Sequence, residues 1–320
     1  MAVQNPPEPV LDNAVRLRRE FIDDGYTDYQ LTRLVAGGVL HRVRHGAYVD
    51  HALWATLSLE DRHRVTCRAV LRTAHPSTAL SHVSAAIERG VPVWNIALDE
   101  VHTTRTDGKG ARREAGVIHH AGDLDESEVE TLHGVRLTAA PRCAVEVIAT
   151  ATPEAALVVV NGLLHAGHLT RPQLLEAVRA MKHWPHTLAA HLVVALADER
   201  MESPAETRTY YMCRQQQLPR PEPQVEVYDE QGKLFARLDF AWPALGVFLE
   251  FDGRIKYQRF RRKGETLEAY LIREKTRAER VCQLTGWVCI RIGWSDLQAP
   301  VATAARIRKV LESRRRTVGA

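Results

Sequence analysis

The sequence predicts a multidomain protein of the α+β and α/β classes, in which three folded parts share 320 residues. The length points to more than one domain, since domains usually contain about 100 to 200 residues. Segments with the helical period alternate with segments that have the two-residue period of strands. Residues 201–204 contain a proline and a helix-capping signal, and therefore mark a boundary. The predicted divisions are a flexible tail at 1–12, folded parts at 13–50, 51–200 and 201–314, and a tail at 315–320.

The composition is that of a folded protein, with 45% hydrophobic and 26% charged residues. The longest apolar run, at 155–164, is interrupted by Asn161 and Gly162 and is shorter than the ~20 residues of a membrane span. The amino terminus has neither the basic start nor the apolar stretch of a secretion signal. We therefore expect a cytoplasmic protein with no transmembrane helix and no membrane partner.

Cysteine and histidine spacing argues against both a disulfide framework and a zinc site. The nearest approach to paired metal ligands is His119-His120, or the pair His183 and His186. No Cys-x-x-Cys or His-Glu-x-x-His pattern accompanies these histidines. We expect reduced thiols at all five cysteines, which are Cys67, Cys143, Cys213, Cys282 and Cys289.

The first folded part contains two helical segments and a hairpin. Residues 14–22 have apolar positions at helical spacing, and a second helix follows from Thr27, a plausible cap, to the Gly37-Gly38 stop. Residues 39–49 alternate in period two around His45-Gly46, which predicts a β-hairpin. This order is the outline of a winged helix-turn-helix, whose second helix enters the DNA major groove.

Several side chains of this first part are available for DNA. They are Tyr29, Gln30, Arg33, Arg42 and Arg44. The excess of basic residues is small, because residues 13–50 contain six arginines and five acidic residues. DNA is the expected partner, and the alternative of a small helical domain that binds only protein stays open.

The middle part has mixed helical and strand patterns and no catalytic spacing. Helices are predicted at 59–73, 81–89, 141–149, 153–165, 171–181 and 187–199. Strands are predicted at 99–106, 116–121 and 135–138.

Two segments of this amino-terminal half carry a family resemblance. Residues 33–49, followed by residues 80–87, resemble the amino-terminal half of AbiEi-family antitoxin proteins of actinobacterial type. The resemblance covers about residues 13–150 and is moderately specific. It implies a winged helix before a mixed α/β domain, autoregulatory DNA binding, and a protein toxin as a further partner.

Three carboxylates are predicted to converge in the carboxy-terminal part. A helix at 204–217 is followed by strands at 225–228, 235–240 and 247–252. Asp239 lies near the end of one strand, and Glu250 and Asp252 lie two residues apart on the next, so they share a face. Converging carboxylates repel one another and are normally held together by a divalent cation. Mg²⁺ is the expected ion, with Mn²⁺ as its substitute.

The spacing of these carboxylates resembles the PD-(D/E)xK nuclease core, in the branch close to the very short patch repair endonucleases. Residues 237–243, 250–253 and 286–297 match that branch in order and cover about ninety-five residues. The resemblance implies a restriction-endonuclease-like mixed sheet flanked by helices. It also implies that Asp239 and Glu250 bind the metal and that Glu206 on the preceding helix completes the acidic set.

One position departs from that motif. Asp252 stands where the motif ends in lysine. Lys256 could supply the missing cation from the following loop, and Lys275 on the next helix is a second candidate. A degenerate nuclease fold that binds without cutting is the alternative.

The segment after the acidic strands is basic. Ten Lys or Arg residues and four Glu residues give residues 253–280 a net charge of +6. Such a cluster beside carboxylates suits a phosphodiester backbone. The nucleic-acid contacts expected here are Arg254, Arg259, Arg261, Arg262 and Lys263.

Together these patterns predict a DNA-binding protein with a Mg²⁺-dependent endonuclease module, in a toxin–antitoxin or phage-defence setting. The alternative is an antitoxin-like repressor whose nuclease fold is inactive. A third hypothesis gives the middle part the role of binding a protein toxin.

Overall fold

The protein is mixed α/β and divides into two compact units in this computed structural model. The structure describes residues 11, 13–181, 184, 190–252 and 266–318. The described residues up to Ala195 form the first unit, and those from Leu196 onward form the second. The sequence-predicted parts at 13–50 and 51–200 thus lie in the first unit, apart from the last few residues of the latter.

The first unit begins with a small three-stranded antiparallel sheet and two helices. The elements are β1 (Arg16–Leu17), α1 (Arg18–Asp23), α2 (Asp28–Ala36), β2 (Leu40–Arg44) and β3 (Ala47–Asp50). The strand order is β1-β3-β2. The helix predicted at 14–22 is therefore shorter than expected, because Arg16 and Leu17 pair with Tyr48 and Ala47 of β3 instead. The predicted hairpin is confirmed.

Capping and burial explain why these short elements form. Thr27 and Gln30 form a reciprocal capping box at the start of α2. Gly46 has a φ of +73° at the hairpin turn, a conformation that glycine adopts without steric cost. Leu17 and Ala47 are buried in an apolar cluster with Val65 of the next helices. The hairpin is thus anchored to the helices behind it.

The rest of the first unit is a six-stranded mixed sheet with helices. Its strands are β4 (Thr78–Leu80), β5 (Val101–Arg105), β6 (Arg112–Glu114), β7 (Val117–His120), β8 (Val129–Leu132) and β9 (Val135–Thr138). Its helices are α3 (His51–Thr56), α4 (Leu59–Leu71), α5 (His82–Glu88), α6 (Ala140–Thr150), α7 (Pro153–His165), α8 (Arg171–Ala180) and α9 (Ala190–Leu196), the last of which ends at the division between the units. The order is β6-β7-β5-β4-β9-β8, in which β4 and β9, and β5 and β7, are parallel pairs.

Most helices predicted for this region are confirmed within a few residues. The short strands β4, β6 and β8 and the helix α3 were not predicted. The three strands have three or four residues each, which are too few to show a period, so only pairing with neighbouring strands reveals them.

The second unit contains a four-stranded sheet with helices before, within and after it. Its elements are α10 (Pro204–Gln215), β10 (Glu222–Tyr228), β11 (Leu234–Trp242), β12 (Val247–Phe251), α11 (Leu267–Thr285), β13 (Val288–Ile292), α12 (Trp294–Gln298) and α13 (Pro300–Val318). The strand order is β10-β11-β12-β13. The first three strands form an antiparallel meander, and β13 returns parallel to β12 after the intervening helix α11.

Apolar packing fixes the position of α11 against this sheet. Val281 of α11 is buried in one cluster with Ala241 of β11 and Phe248 of β12. The side chains two residues further along β12, toward its end, lie on the same face. The polar end of β12 therefore faces the amino-terminal half of α11.

None of the described helices combines the length and the apolar composition needed to cross a membrane.

Candidate active site

Asp239 and Glu250 lie next to each other where β11 and β12 separate. Phe240 and Leu249 are the last paired residues of these two strands, and Asp239 and Glu250 are the next residue on each. Both carboxylates are buried, at 8% and 6% relative exposure. The Oδ2 atom of Asp239 accepts a hydrogen bond of 2.8 Å from the backbone N–H of Phe251. The predicted convergence of these two carboxylates therefore agrees with the register.

Asp252 directly follows β12, is exposed to solvent and lies close to an arginine. Glu250 is in register with Arg291 of the parallel strand β13. The Nη1 atom of Arg291 is 3.4 Å from Oδ2 of Asp252. Burial lowers the pKa of Arg291, but Asp252, Cys289 and Glu250 together outweigh burial and raise this pKa above its ordinary value. Asp252 occupies the position where the motif has a lysine, and Arg291 places a cation beside it.

Helix α11 supplies a second arginine to the acidic residues. The Nη2 atom of Arg277 is 3.4 Å from Oε2 of Glu250, and its Nε atom donates to Glu274 at 3.1 Å. Burial lowers the pKa of Arg277, but the charges of Glu250 and Glu274 outweigh burial and raise it. Asp239 contributes to the same increase. Arg277 is therefore held among three carboxylates.

Hydrogen bonds hold Glu206 at the start of α10. Its Oε1 atom accepts a hydrogen bond of 2.7 Å from the Ser203 hydroxyl, and Oε2 accepts from the Glu202 N–H at 2.9 Å. The Gln224 amide also donates to Oε2, at 2.9 Å. Gln224 lies on β10 between residues that pair with the two neighbours of Asp239. Glu206 therefore caps α10 and ties it to the sheet beside Asp239. Its predicted role as a metal ligand stays a prediction, since a carboxylate that accepts hydrogen bonds keeps lone pairs that can bind an ion.

The two predicted lysines are not both part of the described structure. Lys256 lies outside the described residues, as do Arg254, Arg259, Arg261, Arg262 and Lys263. Lys275 is described, and its side chain is 76% exposed with Nζ 3.9 Å from Glu279. On α11 it is Arg277, two residues later, that contacts Glu250. The role of Lys275 as the missing cation stays a prediction, and Arg277 is the described residue of α11 whose side chain pairs with Glu250.

The acidic residues fit a hard divalent cation in their donor chemistry. Carboxylate oxygens are the ligands that Mg²⁺ and Mn²⁺ prefer. Two of these carboxylates, on Asp239 and Glu250, are buried on adjacent strands. Within the described residues, however, the set of three potential ligands whose donor atoms all lie within 4.8 Å of one another consists of histidines in the first unit. Three acidic ligands for one ion would thus require side-chain movement.

The expected DNA contacts of the first unit differ in availability. Arg33 on α2 and Arg42 on β2 are exposed, and Arg44 is half-buried. The Oε1 atom of Gln30 accepts the Thr27 backbone N–H at 2.8 Å. The Gln30 side-chain oxygen is thus engaged in the capping box, and its predicted contact with DNA stays a prediction.

Arg277 and Arg291 are the residues that sequence reasoning missed. Arg277 was counted among the basic residues of its segment and given no role. A signal was present, since Glu274 and Arg277 are three residues apart on a helix and share one face. Arg291 required the parallel register of β12 and β13, which spacing does not reveal.

Comparison with known proteins identifies relatives without a described function. No family model matches the sequence. The chain is similar to an uncharacterized protein of Mycobacterium tuberculosis strain CDC 1551 / Oshkosh and to one of strain ATCC 25618 / H37Rv. Each is 29% identical over 182 residues, which are 56% of this chain. The matched region spans 64% of each relative's length.

Proposed function

We propose that the chain is a DNA-binding protein whose second unit is a Mg²⁺-dependent phosphodiesterase, an endodeoxyribonuclease of the PD-(D/E)xK type. One observation carries the proposal: two buried carboxylates, Asp239 and Glu250, lie on adjacent strands with the Arg277 guanidinium against Glu250. The mixed sheet with flanking helices is the architecture that the resemblance of this part implies. Mn²⁺ would substitute for Mg²⁺.

Each residue of this site has a defined task in the proposed reaction. Asp239 and Glu250 would hold the ion, and the Phe251 N–H would keep the Asp239 carboxylate oriented. The bound ion would supply Lewis acidity to the scissile phosphate and to the attacking water. Arg277 would take the place of the missing lysine and stabilise the negative charge that develops on the phosphate. Glu206, through Gln224, would keep α10 against β10.

The first unit would deliver the chain to DNA. Its two helices and hairpin have the order of a winged helix-turn-helix. Arg33 and Arg42 are exposed on the second helix and on the hairpin. The resemblance of this half to antitoxins implies a toxin–antitoxin or phage-defence setting, with a protein toxin as a further partner.

A second candidate function is DNA binding without cleavage, as in an antitoxin-like repressor. It is favoured by the ion pairs of Glu250 with Arg277 and of Asp252 with Arg291, both at 3.4 Å. In this candidate the arginines neutralise the carboxylates permanently, and no metal is needed.

Cleavage of plasmid DNA separates the two candidates. The full-length chain would be incubated with supercoiled plasmid and Mg²⁺ or Mn²⁺, beside the Asp239→Asn variant. The nuclease proposal predicts nicked or linear product for the native chain and none for the variant. If duplex DNA, single-stranded DNA and RNA all remain intact while duplex DNA is bound, the binding candidate is correct.

A further inference from the structure

Three histidines of the first unit converge at one face of the six-stranded sheet. His82 begins α5 directly after β4, His102 lies on β5, and His120 ends β7. One ring nitrogen from each of the three residues lies within 4.8 Å of the other two. The rings of His82 and His120 stack at 3.6 Å between centroids, and those of His102 and His120 at 5.0 Å. We call these three residues the histidine cluster.

The distance between two nitrogens of the cluster is close to the distance between two histidine nitrogens that bind the same metal ion. The Nδ1 atom of His102 is 2.9 Å from the Nε2 atom of His120. Two imidazoles bound to one tetrahedral Zn²⁺ at about 2.0 to 2.1 Å have nitrogens roughly 3.3 Å apart. To bind one ion, this pair must separate by about 0.4 Å, and the proton between the two nitrogens must move to the other nitrogen of its ring. The rings must also rotate, so that the stacked His82 and His120 direct one nitrogen each at the ion.

The backbone around His82 is held in an unusual conformation. His82 has a φ of +54°, which is unfavourable for a residue with a Cβ atom and persists only where the surroundings impose it. The buried Glu146 carboxylate accepts the His82 N–H at 3.0 Å, and the Ser81 hydroxyl is 2.9 Å from Nδ1. Glu146 thus holds the backbone of His82, and Ser81 contacts its ring. A hydroxyl or carboxylate at the second ring nitrogen is the usual companion of a histidine that binds metal.

A cavity opens beside the cluster. It has a volume of about 410 Å³ and is lined by His82, His120, Thr104 and Arg142, among others. Thr104 is 2% exposed, and its hydroxyl oxygen has no hydrogen-bond partner among the described residues. An unsatisfied buried hydroxyl is costly, so a group in the cavity that hydrogen-bonds to it is expected. The Thr104 hydroxyl is thus an independent sign of a ligand at this place.

We propose that His82, His102 and His120 bind one Zn²⁺ ion whose fourth coordination position faces this cavity. Three histidines with an open position are characteristic of reactive zinc sites, in which water or a small ligand takes the fourth place. Thr104 would hydrogen-bond to that water or to an oxygen of a small anionic ligand. This site is separate from the acidic residues of the second unit, and it does not depend on the nuclease proposal.

Metal titration of the full-length chain tests the proposal. The chain, freed of metal by a chelator, would be titrated with Co²⁺, whose visible absorption reports low coordination number, and then with Zn²⁺ as competitor. We expect the Co²⁺ absorption to saturate at one ion per chain, and we expect Zn²⁺ to displace the Co²⁺. The variants His102→Gln and His120→Gln should each weaken Zn²⁺ binding by more than the ~10- to 100-fold that is typical of losing an outer-shell partner.

The matched control is His119→Gln on the same strand. His119 bonds to the Thr103 hydroxyl at 2.9 Å and lies outside the cluster, so this variant should bind Zn²⁺ like the native chain. Asp239→Asn should also retain the Co²⁺ absorption. Equal loss in His119→Gln and His120→Gln, or no Co²⁺ absorption in the native chain, would overturn the proposal.

A measurement without substitutions guards against variants that misfold. X-ray absorption of the Zn²⁺-loaded native chain should show imidazole ligands in the first coordination shell. A shell made only of oxygen atoms would contradict the proposal and would assign the ion to carboxylates instead.

Discussion

The Asp239 carboxylate on β11 accepts a 2.8 Å hydrogen bond from the backbone N–H of Phe251 on β12. Asp239 thereby continues the contact between the two strands past their last backbone pair, Phe240 and Leu249. The same carboxylate is one of the two proposed metal ligands. The charge of Asp239 would bind the metal, whereas its acceptor oxygen joins the two strands. Substitutions can separate these two roles.

Asp239→Asn removes the charge and keeps an acceptor oxygen of similar position. We expect this variant to lose Mg²⁺ binding and cleavage while its free energy of unfolding changes by less than about 1 kcal/mol. Asp239→Ala should lose the same activity and also leave the buried Phe251 N–H unsatisfied, at a cost of about 1 to 3 kcal/mol. Calorimetric Mg²⁺ titration and urea unfolding measure the two effects. Native-like cleavage in Asp239→Asn would remove Asp239 from the site.

Arg277→Met tests the cation proposed to replace the motif lysine. Groups that stabilise developing charge are typically worth about 10² to 10³ in rate. We expect a loss of that order in cleavage rate, with Mg²⁺ affinity unchanged or increased because Glu250 loses its competing partner.

Lys275→Met is the control for Arg277→Met, since it removes a cation from the same helix. Its side chain is exposed and pairs with Glu279, so the cleavage rate should stay within about twofold of the native value. A larger loss in Lys275→Met than in Arg277→Met would return the role to the lysine.

The hairpin arginines should contribute to DNA affinity through phosphate contacts. Replacing Arg42 and Arg44 together by alanine is expected to weaken duplex binding and to lower the salt dependence by roughly two counterions, at a slope of ~0.9 for each contact. Fluorescence anisotropy at several salt concentrations measures this slope. An unchanged slope would show that the hairpin does not touch the DNA backbone.

Cysteine reactivity should divide along burial. Burial raises the pKa of Cys143 and of Cys213 to about 12, and it also raises that of the buried Cys67. Cys282 and Cys289 are half-buried, and burial raises the pKa of Cys289 to about 11. We therefore expect iodoacetamide to modify Cys282 first and Cys289 more slowly in the native chain, and all five thiols after denaturation. Intact-mass spectrometry counts the adducts, and rapid modification of Cys143 in the native chain would contradict the structure of this core.

Several predictions from the sequence depended only on local patterns, and those agree with the structure. The helix at Pro153–His165 starts at a Thr152 cap with a proline in its first turn. The hairpin at His45-Gly46 needs only period-two alternation and a glycine with positive φ. The longer strands β11 and β12 likewise show enough residues for their period to be read.

The sequence by itself determined that Asp239 lies on one strand and that Glu250 and Asp252 lie at the end of the next, because strand period and turn signals are local properties of the chain. Only the tertiary structure decided which arginines contact these carboxylates. Arg277 lies on the helix between β12 and β13, and Arg291 is in parallel register with Glu250, so both contacts join residues distant in sequence. The histidine cluster has the same origin, since His82, His102 and His120 meet only when β4, β5 and β7 assemble. Long-range pairing brings such groups together, and a short sequence motif has no information about it.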